Sequence, residues 1–227
     1  MNTPDYIVYI VDDEFRVREA LTELLSSANL RAVTFGSTAE YIAFPKPDMP
    51  ACLILDVELP DINGLEFQQQ VAEIDRIPIV FITGHGDIPS SVRAIKAGAV
   101  DFLTKPFSPQ DLLEAIDAAI TQDRNARVRK AELAQLQQRY ACLTPREREV
   151  LPLVVSGLLN KQSAAELGIS EITLQIHRSK VMHKMAAKSV ADLVRFAAKL
   201  ELPLSLAQST QCDDGRNPQF HPVQSRK

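Results

Sequence analysis

The first half of the chain alternates short apolar runs with stretches whose apolar residues recur every three or four positions. The runs are YIVYIV at residues 6–11, AVTF at 32–35, ACLILD at 51–56, IPIVFIT at 77–83 and DFLT at 101–104. A strand covered on both faces needs no polar alternation, so these runs predict strands of a buried parallel sheet. Helical patterns lie between them. Val17, Leu21, Leu24, Leu25 and Ala28 form one; a second is capped by Ser37 and stopped by Pro45 and Pro47. Residues 64–74 carry Leu65, Phe67 and Val71, residues 89–99 close on Gly98, and residues 108–122 carry Leu112, Leu113, Ile116 and Ile120. Five strands alternating with five helices predict an α/β domain, a doubly wound five-stranded parallel sheet of flavodoxin-like type with right-handed crossovers.

After residue 122 the strand pattern stops. Residues 121–140 contain neither Gly nor Pro and are rich in Arg, Gln, Ala and Glu, a helix-prone mixture that extends the preceding helix as a connector. Leu133, Leu136, Tyr140 and Leu143 follow a 3-4-3 spacing, but the apolar seam fails between Ile120 and Leu133. A long coiled coil is therefore not expected, and packing against one of the domains is. Thr144, Pro145 and Glu147 form a capping box that opens a helix to residue 156, with Val150, Leu151, Val154 and Val155 apolar and Pro152 placed to kink it. A short helix over 161–167, a turn at Gly168 and a longer helix over 171–185 capped by Ser170 form a helix-turn-helix. In the longer helix Ile172, Ile176, Val181 and Met185 are expected to seat one face on the core. Ser189 and Asp192 cap a last helix to residue 200. Residues 203–227, polar with few apolar positions, are expected to be a disordered tail. The predicted organisation is thus 1–122, a helical linker 123–141, a second, all-α domain 142–202, and the tail 203–227.

Composition adds two things. With 45% hydrophobic residues both domains can pack a core, and three widely separated cysteines, Cys52, Cys142 and Cys212, fit neither a disulfide framework nor a zinc site. No apolar run approaches the roughly 20 residues that cross a bilayer, and Asp12 and Asp13 interrupt the region where a signal peptide stays apolar. A cytoplasmic protein without membrane contact is expected. Charge is the second. Residues 1–122 carry 8 Lys and Arg against 19 Asp and Glu, whereas residues 123–227 carry 17 against 10. An acidic half followed by a basic half suggests different partners, with nucleic acid the candidate for the basic one.

The candidate chemistry lies at the strand ends. Asp12 and Asp13 follow the first strand, Asp56 ends the third, Thr83 ends the fourth and Lys105 follows the fifth. One acid at a strand end is as readily a turn or cap residue as a functional one. In a parallel sheet, however, all five residues land on the same edge. Three converging carboxylates repel unless a cation joins them, and a hard divalent ion such as Mg²⁺ takes oxygen ligands. A metal, the Lys105 ammonium and the Thr83 hydroxyl around one carboxylate make a site for a phosphoryl group, with Asp56 as the nucleophile.

Residues 4–122 resemble a response-regulator receiver domain, through VDDE at 11–14, LILDVELPDINGLE at 53–66, ITGHGD at 82–87 and DFLTKPF at 101–107. The resemblance implies that Asp13, Asp56 and the backbone carbonyl of Glu58 ligate Mg²⁺, with Asp12 acting through water. It further implies that Asp56 takes a phosphoryl group from a cognate histidine kinase, that Thr83 senses it and Lys105 pairs with it, and that the Lys105–Pro106 bond is cis. Phe102 occupies an aromatic switch position, although a plain core aromatic explains it equally. The resemblance also implies that Glu58 and His85 flank the attacking water, and they are expected to tune the lifetime of the aspartyl-phosphate. Residues 142–200 resemble the LuxR-type DNA-binding domain of NarL/FixJ-type regulators, through LTPREREVL at 143–151, GLLNKQSAAELGIS at 157–170 and TLQIHRSKVMHKMAAKS at 173–189. The arrangement is most similar to the FixJ subgroup. By position Gln175, Ile176 and Ser179 would face bases, with Lys161, Thr173, His177, Arg178 and Lys180 near phosphates. Gln175 stands where lysine or glutamate is frequent, and it suits adenine; Pro152 is also unusual in its helix.

The expected function is a two-component response regulator and transcription factor. Phosphorylation of Asp56 is expected to promote a homodimer and binding to promoter DNA, with RNA polymerase as a further partner; the resemblance implies a dimer face that involves residues 89–99, residues 101–104 and sometimes the last receiver helix. Two other classes compete. A receiver could regulate a partner by protein–protein contact without DNA. An aspartyl phosphatase would need an Asp-x-Asp pair, whereas this chain has Asp56-Val57-Glu58, so an enzyme is not expected.

Overall fold

The structure, a computed structural model, describes residues 5–74, 76–84, 86 and 88–202. The expectations for the tail and for His85 lie outside the described residues. In chain order the first region runs β1 (Ile7–Val11), α1 (Phe15–Ser27), β2 (Ala32–Phe35), α2 (Thr38–Ala43), β3 (Ala51–Asp56), α3 (Gly64–Ile74), β4 (Ile79–Thr83), α4 (Ile88–Lys96), β5 (Asp101–Thr104) and α5 (Pro109–Ala141). All strand pairs are parallel, in the order β2-β1-β3-β4-β5, with Val11 beside Leu55 and Asp56 beside Ile82. The predicted α/β class is the observed one.

The apolar runs are buried on both faces because alternate residues feed two cores. Tyr9, Val11, Leu53, Leu55 and Phe81 pack with Tyr41, Phe67, Val71 and Ala94 of α2, α3 and α4. Val8, Ile10, Ile54, Val80 and Ile82 pack with Leu21 and Leu25 of α1 and Leu112, Ile116 and Ile120 of α5. Each large side chain so buried contributes roughly 1.5–3 kcal/mol. Two helical layers on one sheet leave only the strand ends and loops open, and the carboxyl ends gather the acids.

α5 is a single helix of 33 residues. No Gly or Pro interrupts the stretch between residues 122 and 141, so the connector continues the helix without a break. The chain divides into two compact units within it, at Ala131 and Glu132. In the second unit follow α6 (Pro145–Val155), α7 (Asn160–Glu166), α8 (Glu171–Lys184) and α9 (Val190–Lys199) around Leu143, Val150, Leu151, Val154, Ala164, Leu174, Val181, Met185 and Leu193. The predicted capping boxes at Thr144 and Ser189 form. α6 continues through Pro152 to Val155.

One expectation about the core is wrong. Ile172 and Ile176 are 72% and 51% exposed. The buried side of α8 is carried by Leu174, Val181 and Met185, spaced seven and four, and this places the two isoleucines on the opposite side. No helix of the described residues is long and apolar enough to cross a membrane.

Candidate functional site

Topology makes the first site. The strand order reverses between β1 and β3, and in open α/β sheets ligands bind at such a switch point outside the carboxyl ends. Asp12 leaves β1 fully buried; its backbone N–H still donates to Phe35 of β2, and its Oδ1 accepts the N–H of Glu14 at 2.8 Å. Asp56 closes β3, also buried, and its Oδ1 accepts the Glu58 N–H at 2.9 Å. β5 pairs with β4 up to Thr104, and the next residue, Lys105, donates its N–H to the Thr83 carbonyl at 2.7 Å. That pairing aims the lysine across the sheet edge. Its ammonium donates to Asp56 Oδ2 at 2.7 Å and to Asp12 Oδ2 at 2.9 Å. The Lys105–Pro106 bond is cis.

Asp12, Asp13 and Asp56 each offer a carboxylate oxygen within 4.8 Å of the others, with Asp13 exposed to solvent. An all-oxygen, anionic donor set with one open side suits a hard divalent ion that keeps water ligands. Burial pushes the Asp12 carboxyl above its ordinary range, and the nearby Asp56 charge adds to this, while Lys105 opposes both. Burial by itself would depress the Lys105 ammonium. Its hydrogen bonds to the Asp56 and Asp12 carboxylates outweigh that, and its pKa stands above the ordinary value. The site is therefore an anionic cluster held by one cation.

Thr83 is fully buried at the end of β4. Glu58 is exposed, with its carboxylate beside Gly84. Phe102 is half-buried, 6.1 Å ring to ring from Phe81. Two supporting residues escaped the sequence reading. Arg18 of α1 donates to the carbonyls of Asp12 and Asp13 at 2.7 and 2.9 Å and so fixes the loop that carries both acids. Gly64, read only as the start of a helix, packs its backbone against the phosphoacceptor candidate: a Cβ there would lie 2.3 Å from the Asp56 carbonyl oxygen. A partner that arrives from the far side of a loop leaves no periodic signal.

The second site is α8. Ser170 caps it, accepting the Thr173 N–H at 3.2 Å, and Gly168 takes a positive φ of 64° in the turn before it. Gln175, Ile176, Ser179 and Lys180 are exposed on α8, and Lys161 is exposed on α7. Arg178 is half-buried and donates to Asn160 Oδ1 at 2.7 Å, which ties α8 to the start of α7. His177 is half-buried, with its Nδ1 enclosed.

A parallel α/β domain with an aspartate–lysine pocket, followed by a helix-turn-helix, defines a phosphorylation-type signalling module joined to a DNA-binding module. Residues 8–117 match the response regulator receiver domain, and residues 141–197 match the bacterial regulatory proteins of the luxR family. Nodulation protein W of Bradyrhizobium diazoefficiens is 48% identical over 206 residues, covering 90% of this chain and 91% of that protein. The transcriptional regulatory protein FixJ of Rhizobium meliloti is 40% identical over 85% of this chain and 95% of its own length. The solved structure of the response regulator StyR superposes with a TM-score of 0.75 at 43% identity, covering 86% of this chain and 99% of that one. The chain belongs to the NarL/FixJ-type response regulators, two-component transcription regulators that pair a receiver with a LuxR-type DNA-binding domain.

Proposed function

We propose that Asp56 is the phosphoacceptor. The carrying observation is the Lys105 ammonium bridging Asp56 and Asp12 at 2.7 and 2.9 Å beside Asp13. An Asp56 carboxylate oxygen attacks the phosphorus of a phosphohistidine on the cognate kinase. The P–N bond breaks, and the imidazole nitrogen keeps the electron pair. Lys105 then pairs with the phosphoryl group, and the Thr83 hydroxyl donates to one of its oxygens. Asp13, Asp56 and the Glu58 carbonyl would hold Mg²⁺, with Asp12 acting through water. When bound, the ion neutralises charge on the transferred group. Phe102 follows Thr83 as the switch residue, and Glu58 and His85 set the lifetime of the phosphate.

Phosphorylation promotes dimerisation, and the dimer binds promoter DNA through α8, where Gln175, Ile176 and Ser179 face bases. Lys161, Thr173, His177, Arg178 and Lys180 lie toward phosphates, and RNA polymerase is recruited or contacted at the promoter. The dimer reading is supported by α4, which exposes Ile88, Val92 and Ile95 at spacings of four and three on one face beside β5. Footprinting phosphorylated wild type beside Asp56→Asn tests the switch. The wild type is expected to occupy its promoter at several-fold lower concentration; equal occupancy overturns the phosphoswitch.

A further inference from the structure

α8 turns two different faces to its surroundings. At about 100° per residue, Ile172, Gln175, Ile176 and Ser179 fall within an arc of about 100°, opposite Leu174, Val181 and Met185. These four residues are exposed, as is His183, which falls on the same arc three turns after Ile172, and Ile172, at 72%, is the most exposed large apolar side chain of α8. Its helix position is free of any packing duty: the core of this unit is filled without it. We propose that Ile172 is a specificity-determining residue for DNA, and that with Ile176 one turn later it forms an apolar ridge fitted to the 5-methyl groups of neighbouring thymines. The proposal rests on the reading of α8 as the DNA-binding helix.

The chemistry of the surroundings selects this occupant. A ridge made for a protein partner would be expected to continue as an apolar patch, but here Gln175 and Ser179 interrupt it with hydrogen-bonding groups. Exposed Lys180 flanks the arc on one side, Arg178 lies toward the other, and exposed Lys161 of α7 adds a third cation. Cations at the rim with apolar and amide groups at the centre complement a major groove, where phosphates border the methyl of thymine and the N6 and N7 of adenine. Glu171 is the one acid beside the ridge, and it sits in the first turn of α8, where the helix dipole favours a negative charge. Gln175 between the two isoleucines suits adenine, so the arc as a whole reads A·T pairs: a methyl on either side of an adenine edge.

The test uses the full-length protein. Its preferred duplex is selected from a random library, and each thymine in turn is replaced by deoxyuridine, which lacks only the 5-methyl group. Wild type is expected to lose about fourfold in affinity at each of two neighbouring positions, the effect of one buried methyl. Ile172→Ala is expected to lose the thymine preference at one of these positions and keep it at the other, with its thermal unfolding unchanged because the side chain is exposed. Ile176→Ala is expected to do the reverse. Sequence-selective binding that tolerates deoxyuridine at every position overturns the proposal, as does an Ile172→Ala variant with the full thymine preference. If that variant keeps the preference and loses only transcription in a reconstituted reaction with RNA polymerase, the ridge is a protein contact and the proposal is wrong. Salt-insensitive failure to bind any duplex removes the DNA reading itself, an outcome distinct from selective binding without methyl readout.

Discussion

At the scale of single residues the receiver pocket is a balance of charge and close approach. Lys105 is shared by two buried carboxylates, so its position depends on the backbone that presents Asp56. Gly64 sets that backbone. Its N–H donates to the Val57 carbonyl at 2.9 Å, and a Cβ would meet the Asp56 carbonyl oxygen at 2.3 Å and Val57 Cα at 3.0 Å. Gly64→Ala gains up to about 1 kcal/mol of helix propensity at the first residue of α3. Against this stands a clash with backbone atoms that no rotamer change relieves, and overpacking of this kind costs about 1–3 kcal/mol. The clash wins. The variant is expected to unfold at lower urea concentration than wild type and to accept phosphoryl groups from a small donor several-fold more slowly. Unchanged stability and rate would show that the loop yields freely. The acids, Thr83 and Lys105 were legible in the sequence because strand ends mark them. Gly64 and Arg18 were not, since each acts on a carbonyl whose approach depends on loop geometry and not on spacing.

At the scale of elements, capping and packing decide what each helix shows to its surroundings. The amphipathic spacing of α8 was legible, but spacing alone allowed two registers for its buried side. Leu174, with the turn at Gly168 and the Ser170 cap ahead of it, selects the register that puts Ile172 and Ile176 outward. The start of α6 was read correctly, though not its partner. Glu147, 2% exposed, accepts from the Thr144 N–H at 2.8 Å and also from Lys184 of α8 at 2.7 Å. The cap of one helix is therefore also the clamp on α8. Lys184 holds the Glu147 carboxyl below the ordinary glutamate value of 4.5, with the Thr144 N–H adding to the effect. A depressed folded pKa contributes stability that is complete above the ordinary value and is lost as pH falls through the folded one. Glu147→Gln is expected to cost about 2 kcal/mol near neutral pH, discounted because Lys184 is one-third exposed and can rehydrate. The difference from wild type should narrow as pH drops below about 4.5. Urea unfolding of both proteins across pH 3–7 (a range of about 4 units spanning the titration) checks this. A gap that stays constant down to the acid end would show that the charge on Glu147 is irrelevant.

At the scale of the whole molecule, the connection between the units is the feature that the pattern of the chain described least well. Helix propensity made a continuous connector legible, yet a polar surface seam carries no mark of where one folded unit ends. The side-chain contacts carry it. Asp123, one residue past the predicted boundary, is 7% exposed; its Oδ2 accepts the backbone N–H of Ala51 at 3.0 Å and the Arg127 Nε–H at 2.8 Å. Ala51 begins β3, the strand that ends on Asp56, and the pairing of β3 with β4 starts only at Leu53, so among the described residues the Asp123 carboxylate takes this N–H. Arg127 also pairs with Asp48, but that aspartate is almost fully exposed, so the pair contributes at most about 1 kcal/mol. Further along α5, Glu132 pairs with Lys199 and Arg139 reaches the Met185 carbonyl, both within the second unit. We therefore expect a receiver fragment to need α5 through residue 131. In a fragment of residues 1–131, Asp123→Ala leaves a buried N–H unsatisfied and should cost about 1–3 kcal/mol, whereas Arg127→Ala should cost less. A fragment of residues 1–122 should be destabilised at least as much as the Asp123→Ala variant. Equilibrium urea unfolding of the four proteins ranks them; if Asp123→Ala unfolds with the same midpoint as its parent, the carboxylate is not what joins α5 to the base of β3.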